Sequence, residues 1–256
     1  MNKPILTLLV LAILALLITF GWFATRQVEE VPDDLQAYLW DTHEFVERGE
    51  YATALERYVW FHENVLDHAP SMSGVRLSFA LSAWHRLAEV YPPAMEALVD
   101  TRDRQVSKIR SEAGYWEVFS EVESINGKLN DQASTVELFE YLHDAQPTLA
   151  KRVWQLARSD VIAAGKHELA MHYIGNPMHA QAAIRRSYDR RVEMHRSMES
   201  GEHLEIMLEF AEDRFVEQTL ELMQVLSALD RHDLARQIGE TSLETVNDPR
   251  IEFALQ

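Results

Sequence analysis

Residues 49–61 constrain this chain more than any other stretch. They read Gly49–Glu50–Tyr51–Ala52–Thr53–Ala54–Leu55–Glu56–Arg57–Tyr58–Val59–Trp60–Phe61. A glycine reverses the chain, and Ala54, Tyr58 and Phe61 then fall at i, i+4 and i+7, one face of a helix. Ahead of the turn, Leu35, Tyr38, Leu39, Thr42, Phe45 and Val46 recur at helical spacing between Asp33 and Arg48. Asp33 or Asp34 is placed to cap that helix after Pro32. Two antiparallel helices therefore meet at Gly49, and the small Ala54 lets their backbones approach.

Variations on that pair fill the rest of the chain. Val75 to Val90 carries Leu77, Leu81, Trp84, Leu87 and Ala88 on one face, and Tyr91–Pro92–Pro93 stops it. A helix from Ala94 to about Arg104 follows. Tyr115, Trp116, Phe119, Val122 and Ile125 predict a helix ending near Asn126–Gly127. Ser134-x-x-Glu137 reads as a capping box for a helix through Val136, Leu138, Phe139 and Leu142, stopped at Gln146–Pro147. Leu149 to Ala164 comes next. Gly165-x-His167-x-x-Ala170-x-x-x-Ile174 then echoes the opening motif. Met178 to Glu199 is a longer, arginine-rich helix, Leu204–Leu229 another, and Leu234, Ala235, Ile238 and Leu243 carry the last. No block of alternating apolar and polar residues is bracketed by turns, so the fold class is all-α. Ala54, Ala94, Thr135 and Ala170 lie roughly 35–40 residues apart, near the period of helical hairpin repeats, and Ala235 follows after a longer gap.

The glycine, the aromatic two residues on, the small residue three further and the aromatic four beyond that resemble the second half of a tetratricopeptide-like repeat. Trp60–Phe61–His62, Gly74 to Leu81 with Trp84, and Tyr91–Pro92–Pro93–Ala94 are similar to blocks in a group of bacterial membrane-anchored, tetratricopeptide-like proteins of unassigned function. The resemblance implies a right-handed α-α superhelix of degenerate helical hairpins over residues 33–256, and it implies no catalytic residue. An irregular helical bundle is the competing architecture.

Ile5–Ala24 is an uncharged apolar run of about 20 residues, the length that spans a bilayer as a helix. Trp22 and Phe23 suit the membrane interface and make a poor cleavage context before Ala24. Residues 1–26 are thus expected to be a retained signal anchor, with 27–32 a linker. The expected location is the bacterial inner membrane, single-pass, with the domain in the periplasm. The rival is a cleaved signal peptide and a secreted or periplasmic domain. The net charge of −17 opposes nucleic acid and anionic membrane surfaces as partners of the domain. With no cysteine, disulfides, thiolate nucleophiles and cysteine-ligated zinc are excluded.

No phosphate loop or nucleophile elbow occurs, and no cofactor is expected. His167 and His172 flank Glu168, but five residues separate them. Their imidazoles diverge by roughly 140° on a helix, whereas a zinc-protease pair needs a spacing of four. A metal-assisted hydrolase built on these histidines is the alternative function. The favoured reading is a membrane-tethered scaffold for protein–protein interaction, binding a protein or peptide partner, with the bilayer held through Ile5–Ala24. Candidate contacts in the first pair are Tyr38, Trp40 and Tyr51. Trp40 points about 200° away from Tyr38, toward a groove or solvent if Tyr38 faces the paired helix. His62 and Arg76 are the polar candidates to line a pocket. Arg185, Arg186 and Arg190, with Arg191 and Arg196, form a basic run that suits an acidic peptide or lipid headgroups; i,i+4 pairs with nearby glutamates are the simpler account of it.

Overall fold

A computed structural model describes residues 32, 34–111, 115–198 and 201–256. Among these the chain is helical throughout, with no strand. The expected anchor, Ile5–Ala24, lies outside the described residues. Among those described, no helix is long and apolar enough to cross a membrane.

The chain divides into two compact units, Met1–Arg76 and Leu77–Gln256. In the first, α1 (Leu35–Glu47) pairs with α2 (Tyr51–His68), followed by a 3₁₀ turn (Pro70–Met72) and the single turn α3 (Ser73–Val75). Asp34 caps α1 by accepting from the backbone N–H groups of Gln36 and Ala37 at 2.9 and 3.0 Å. Ala54, Tyr58, Phe61 and Val65 of α2 are buried with Tyr38 and Thr42 of α1. A π-helical turn, Arg76–Ala80, interrupts the single helix expected over 75–90, and the boundary between the units falls inside it.

The second unit comprises α4 (Leu81–Ala88), α5 (Pro92–Arg110), α6 (Trp116–Leu129), α7 (Gln132–Ala145), α8 (Pro147–Ala163), α9 (His167–Ile174), α10 (Pro177–Met198), α11 (Glu202–Ala228), α12 (His232–Leu243) and α13 (Pro249–Ala254). Consecutive helices pack pairwise except α9 and α10, α9 resting on α8 and α11 instead, and α4, α6, α8 and α11 also touch in succession. One apolar cluster runs through α6, α7 and α8, with Phe119, Phe139 and Val153 fully buried. A second joins α10 to α13, with Phe215, Leu226, Ile238 and Ile251 at its centre.

Four connections share one geometry. Gly49, Asn130, Gly165 and Asp230 all adopt positive φ, at 77°, 54°, 74° and 57°. The N–H of the following residue returns to the carbonyl five back: Glu50 to Phe45, Asp131 to Asn126, Lys166 to Val161 and Arg231 to Leu226, at 2.8–3.1 Å. The N–H of each positive-φ residue reaches the carbonyl three back. This is the Schellman closure of a helix. The next helix begins two residues after the positive-φ residue each time. Five residues after it stand Ala54, Thr135, Ala170 and Ala235, all buried.

Some boundaries depart from the sequence reading. Helix α6 runs past Asn126–Gly127 to Leu129, because Asn126 is buried and donates to Thr135 Oγ1 at 3.1 Å instead of breaking the helix. Asn130 takes the left-handed position there. The expected capping box at Ser134 is replaced by Asp131, whose carboxylate accepts from Ser134 Oγ at 2.7 Å and from its N–H at 3.3 Å. Helix α5 extends to Arg110, because Ile109 is buried in the α6–α8 cluster.

Candidate functional site

The two sets of sequence candidates fall in different units and are described separately. In the first unit Tyr38 belongs to the core, which removes it from the candidate surface. Its ring packs on Trp60 and Phe61, with centroids 5.1 and 6.5 Å apart, and the Arg57 guanidinium lies 3.7 Å over it. Arg57 also donates to Thr42 Oγ1 at 2.9 Å and to the Tyr38 carbonyl at 3.0 Å, tying α2 to α1. Trp40, on the opposite face, is 73% exposed. Tyr51 is half-buried at the first position of α2. His62 and Arg76 are buried rather than lining an opening, and their side chains meet at 2.8 Å. Arginine only donates, so His62 Nε2 accepts and the ring proton sits on Nδ1.

In the second unit the arginine run does not form one stripe. Successive residues turn about 100° around a helix, so Arg185, Arg186, Arg190 and Arg191 spread around α10. Arg185, Arg186 and Arg190 are exposed. Arg185 lies 3.9 Å from Asp189, and together with Tyr188, Glu193, Arg196 and Glu244 it borders a shallow depression of about 660 Å³ whose charges are of both signs. Burial raises the Tyr188 hydroxyl pKa, and the charge of Glu212 adds to it. His143, His172 and Tyr173 cluster by ring contacts, and His143 Nδ1 shares a hydrogen bond with the Tyr173 hydroxyl at 2.9 Å. His167 is elsewhere, half-buried at the start of α9. Among the described residues no three His, Asp or Glu side chains gather in a metal-binding group.

Arg191 points to a different place, a cleft of about 680 Å³ framed by α8, α9, α10 and α11. Its apolar wall is Trp154, Leu156, Ile162, Tyr173, Ile174, Ile184 and Leu222; Trp154 and Tyr173 stack at 5.2 Å and 19°. Its polar lining is Arg158, Arg191, Arg214 and His179, with Gln155, Gln218 and Ser187, and contains no carboxylate. That is a strong local reversal in a chain of net charge −17. Arg158 Nε donates to Glu221 Oε2 at 2.7 Å, its second amino group meets the same oxygen, and Ser159 Oγ reaches Oε1 at 2.6 Å, so this cation is held in place. Arg214 reaches Glu217 at 3.3 Å in the open. Arg191 has no ion-pair partner among the described residues.

On the neighbouring helices α6 and α8, burial raises the carboxyl pKa values of both Glu123 and Asp160, and the Asp160 charge raises Glu123 further. The sequence reading missed Arg158, Arg214 and the Trp154–Tyr173 stack as site residues. Arg158 and Arg214 lie 56 positions apart on different helices, and each looks like an ordinary surface arginine within its own helix.

No family model and no curated protein matches the chain.

Proposed function

We propose that the chain is a tetratricopeptide-like scaffold, membrane-tethered through Ile5–Ala24, that captures a protein partner on its helical domain. The observation that carries this reading is the register of the four Schellman turns. Eleven residues before each positive-φ position stand Tyr38, Phe119, Trp154 and Thr219, all buried. Five and nine residues after it stand Ala54 and Tyr58, Thr135 and Phe139, Ala170 and Ile174, and Ala235 and Gly239. Large residue, turn, small residue and then aromatic is the order of a tetratricopeptide repeat. The turns at Gly49 and Asn130 follow it in full, that at Gly165 ends on Ile174, and that at Asp230 keeps only the turn and the small residue; this recurrence supports that superhelix over an irregular bundle. Repeats of this kind present their first helices as a binding surface. In the second unit that surface includes α8 and α11, which carry the arginine-lined cleft.

Photo-crosslinking tests the reading. A crosslinking amino acid at Gln155, in the cleft, or at Trp40 in the full chain in intact membranes is expected to give a discrete adduct. Trp40→Ala is expected to weaken capture at its own surface and leave the melting temperature unchanged, because the ring is exposed. Absence of adducts from both positions, or stoichiometric metal in the purified protein that His172→Ala removes, would overturn it. A C-terminal reporter fusion active outside the cytoplasm checks the topology.

A further inference from the structure

The cleft does not end where α10 and α11 leave the core. Ser187 and Arg191 line it from α10, and Met194 and Met198 continue the same stripe at i+7 and i+11 from Ser187. On α11, Gln218 and Arg214 line it, and Phe210 continues the series one step of four further out. The helices turn back at Gly201, so both stripes run from the cleft toward one tip. Beyond the cleft they are apolar and open: Met194 is 46%, Met198 74% and Phe210 57% exposed.

We propose that the cleft and this stripe together dock an acidic amphipathic helix of a partner protein; the proposal rests on the scaffold reading and names the chemistry of its partner. Three features point to that occupant. The lining combines Arg191 and Arg214 with no carboxylate, in a strongly acidic chain, so it complements negative charge that the rest of the surface repels. Arg158 is neutralised by Glu221 and Arg214 is partly screened by Glu217, which leaves Arg191 as the principal anion contact. The apolar part is a row, not a patch. Met194 and Met198 form it on α10 and Phe210 on α11. With the polar Ser187 and Arg191 the whole α10 stripe, Ser187 to Met198, spans about 17 Å of helix, enough to meet residues at i, i+3 or i+4, and i+7 of a partner helix. Methionines also adapt to partners of varied shape. A bilayer surface fits less well, because the arginines and the Trp154–Tyr173 stack lie in a recess between helices.

The test uses the full chain in a neutral detergent and a fluorescein-labelled helical peptide of about 20 residues. The peptide carries leucines at i, i+3, i+4 and i+7 and glutamates elsewhere, and a twin replaces glutamate by lysine. Fluorescence anisotropy is expected to show binding of the acidic peptide, not its twin, with affinity falling as salt rises. Arg191→Glu is expected to weaken binding at least about tenfold, as loss of a charge-assisted contact does. Arg191→Gln should weaken it less, and Met198→Ser with Phe210→Ser should also weaken it. Arg186→Glu, about 140° around α10 from Arg191, is the control for net charge and is expected to leave binding unchanged. Equal binding of the lysine twin, or equal loss with Arg186→Glu, overturns the proposal. So does displacement of the protein's bound peptide by phosphatidylglycerol vesicles but not by unlabelled acidic peptide. If the peptide fails to bind while Gln155 or Trp40 still crosslinks a partner, the scaffold stands and this inference falls; if all three fail, both fall.

Discussion

At Asn130 and Asp230 the chain places non-glycine residues in the left-handed region, where a Cβ costs about 1–2 kcal/mol. The same turns at Gly49 and Gly165 avoid that cost, and a Cβ at either would meet nothing within 4 Å. The glycines are therefore needed for conformation and not for space. Gly165→Ala is expected to destabilise the protein by about 1 kcal/mol, and Asp230→Gly to stabilise it by up to about 1 kcal/mol. Urea unfolding of the purified protein measures both; a neutral Gly165→Ala would mean that the turn relaxes. Ala54 poses the opposite problem, since it is wholly buried where α2 meets α1. Ala54→Trp is expected to cost about 1–3 kcal/mol through overpacking, read as a lowered melting temperature. Its burial was legible from residues 49–61 alone, because a small residue on the apolar face of a helix just past a tight turn has a neighbour close by. The left-handed role of Asn130 and Asp230 was not, because either residue also reads as an ordinary turn or cap.

Among elements, the adjoining helices α6 and α8 bring Glu123 and Asp160 together. Burial raises both carboxyl pKa values, so their ionisation opposes folding. The folded state binds more protons between the ordinary carboxylate range and the raised values. Stability from this pair is fully present below the ordinary value, 4.5 for glutamate, and is lost as pH rises through the folded value. Glu123→Gln removes the group. The variant is expected to be more stable than the parent at pH 7, with the gain shrinking as pH falls through the raised folded value and gone below the ordinary glutamate value; urea titrations at pH 7 and below the ordinary glutamate value check it. A gain of equal size at both would mean that packing, not charge, separates the two. Most helix positions came through the sequence well, because each of those has its own apolar stripe and its own turn; α13, which starts at Pro249 beyond the helix read as the last, did not. The cleft did not. Trp154 has core spacing within α8, and only its stacking on Tyr173 of α9 makes it a wall of an opening. Likewise the arginine run on α10 divides between two depressions, a result set by how α10 lies on α11 and invisible in the run itself.

Across the second unit, stability rests on two apolar clusters that meet on one long helix. Val225 of α11 belongs to the cluster of α6 to α8, while Leu222, Leu226 and Phe215 of the same helix belong to the cluster of α10 to α13. Helices here contact mainly those near them in the chain, so stability in this unit approximates a sum of local terms and shared interfaces. The helix connecting the clusters then decides whether damage in one is felt in the other. Ile238 is fully buried in the second cluster. Ile238→Ala is expected to cost about 2–5 kcal/mol, the usual range for such a truncation. Hydrogen exchange followed by mass spectrometry locates where that cost is felt. Amides of α12, α13 and the inner half of α11 are expected to exchange faster in the variant, while those around Phe119 to Ile125 and Val153 to Val161 keep their protection. In the parent, residues near Met198 and the start of α11 are expected to exchange first, since their side chains are mostly exposed and belong to neither cluster. Uniform acceleration through α4 to α13 would show that α11 couples the two clusters into one cooperative block. Any ligand bound at its exposed end would then stabilise every helix in the unit instead of the last few alone.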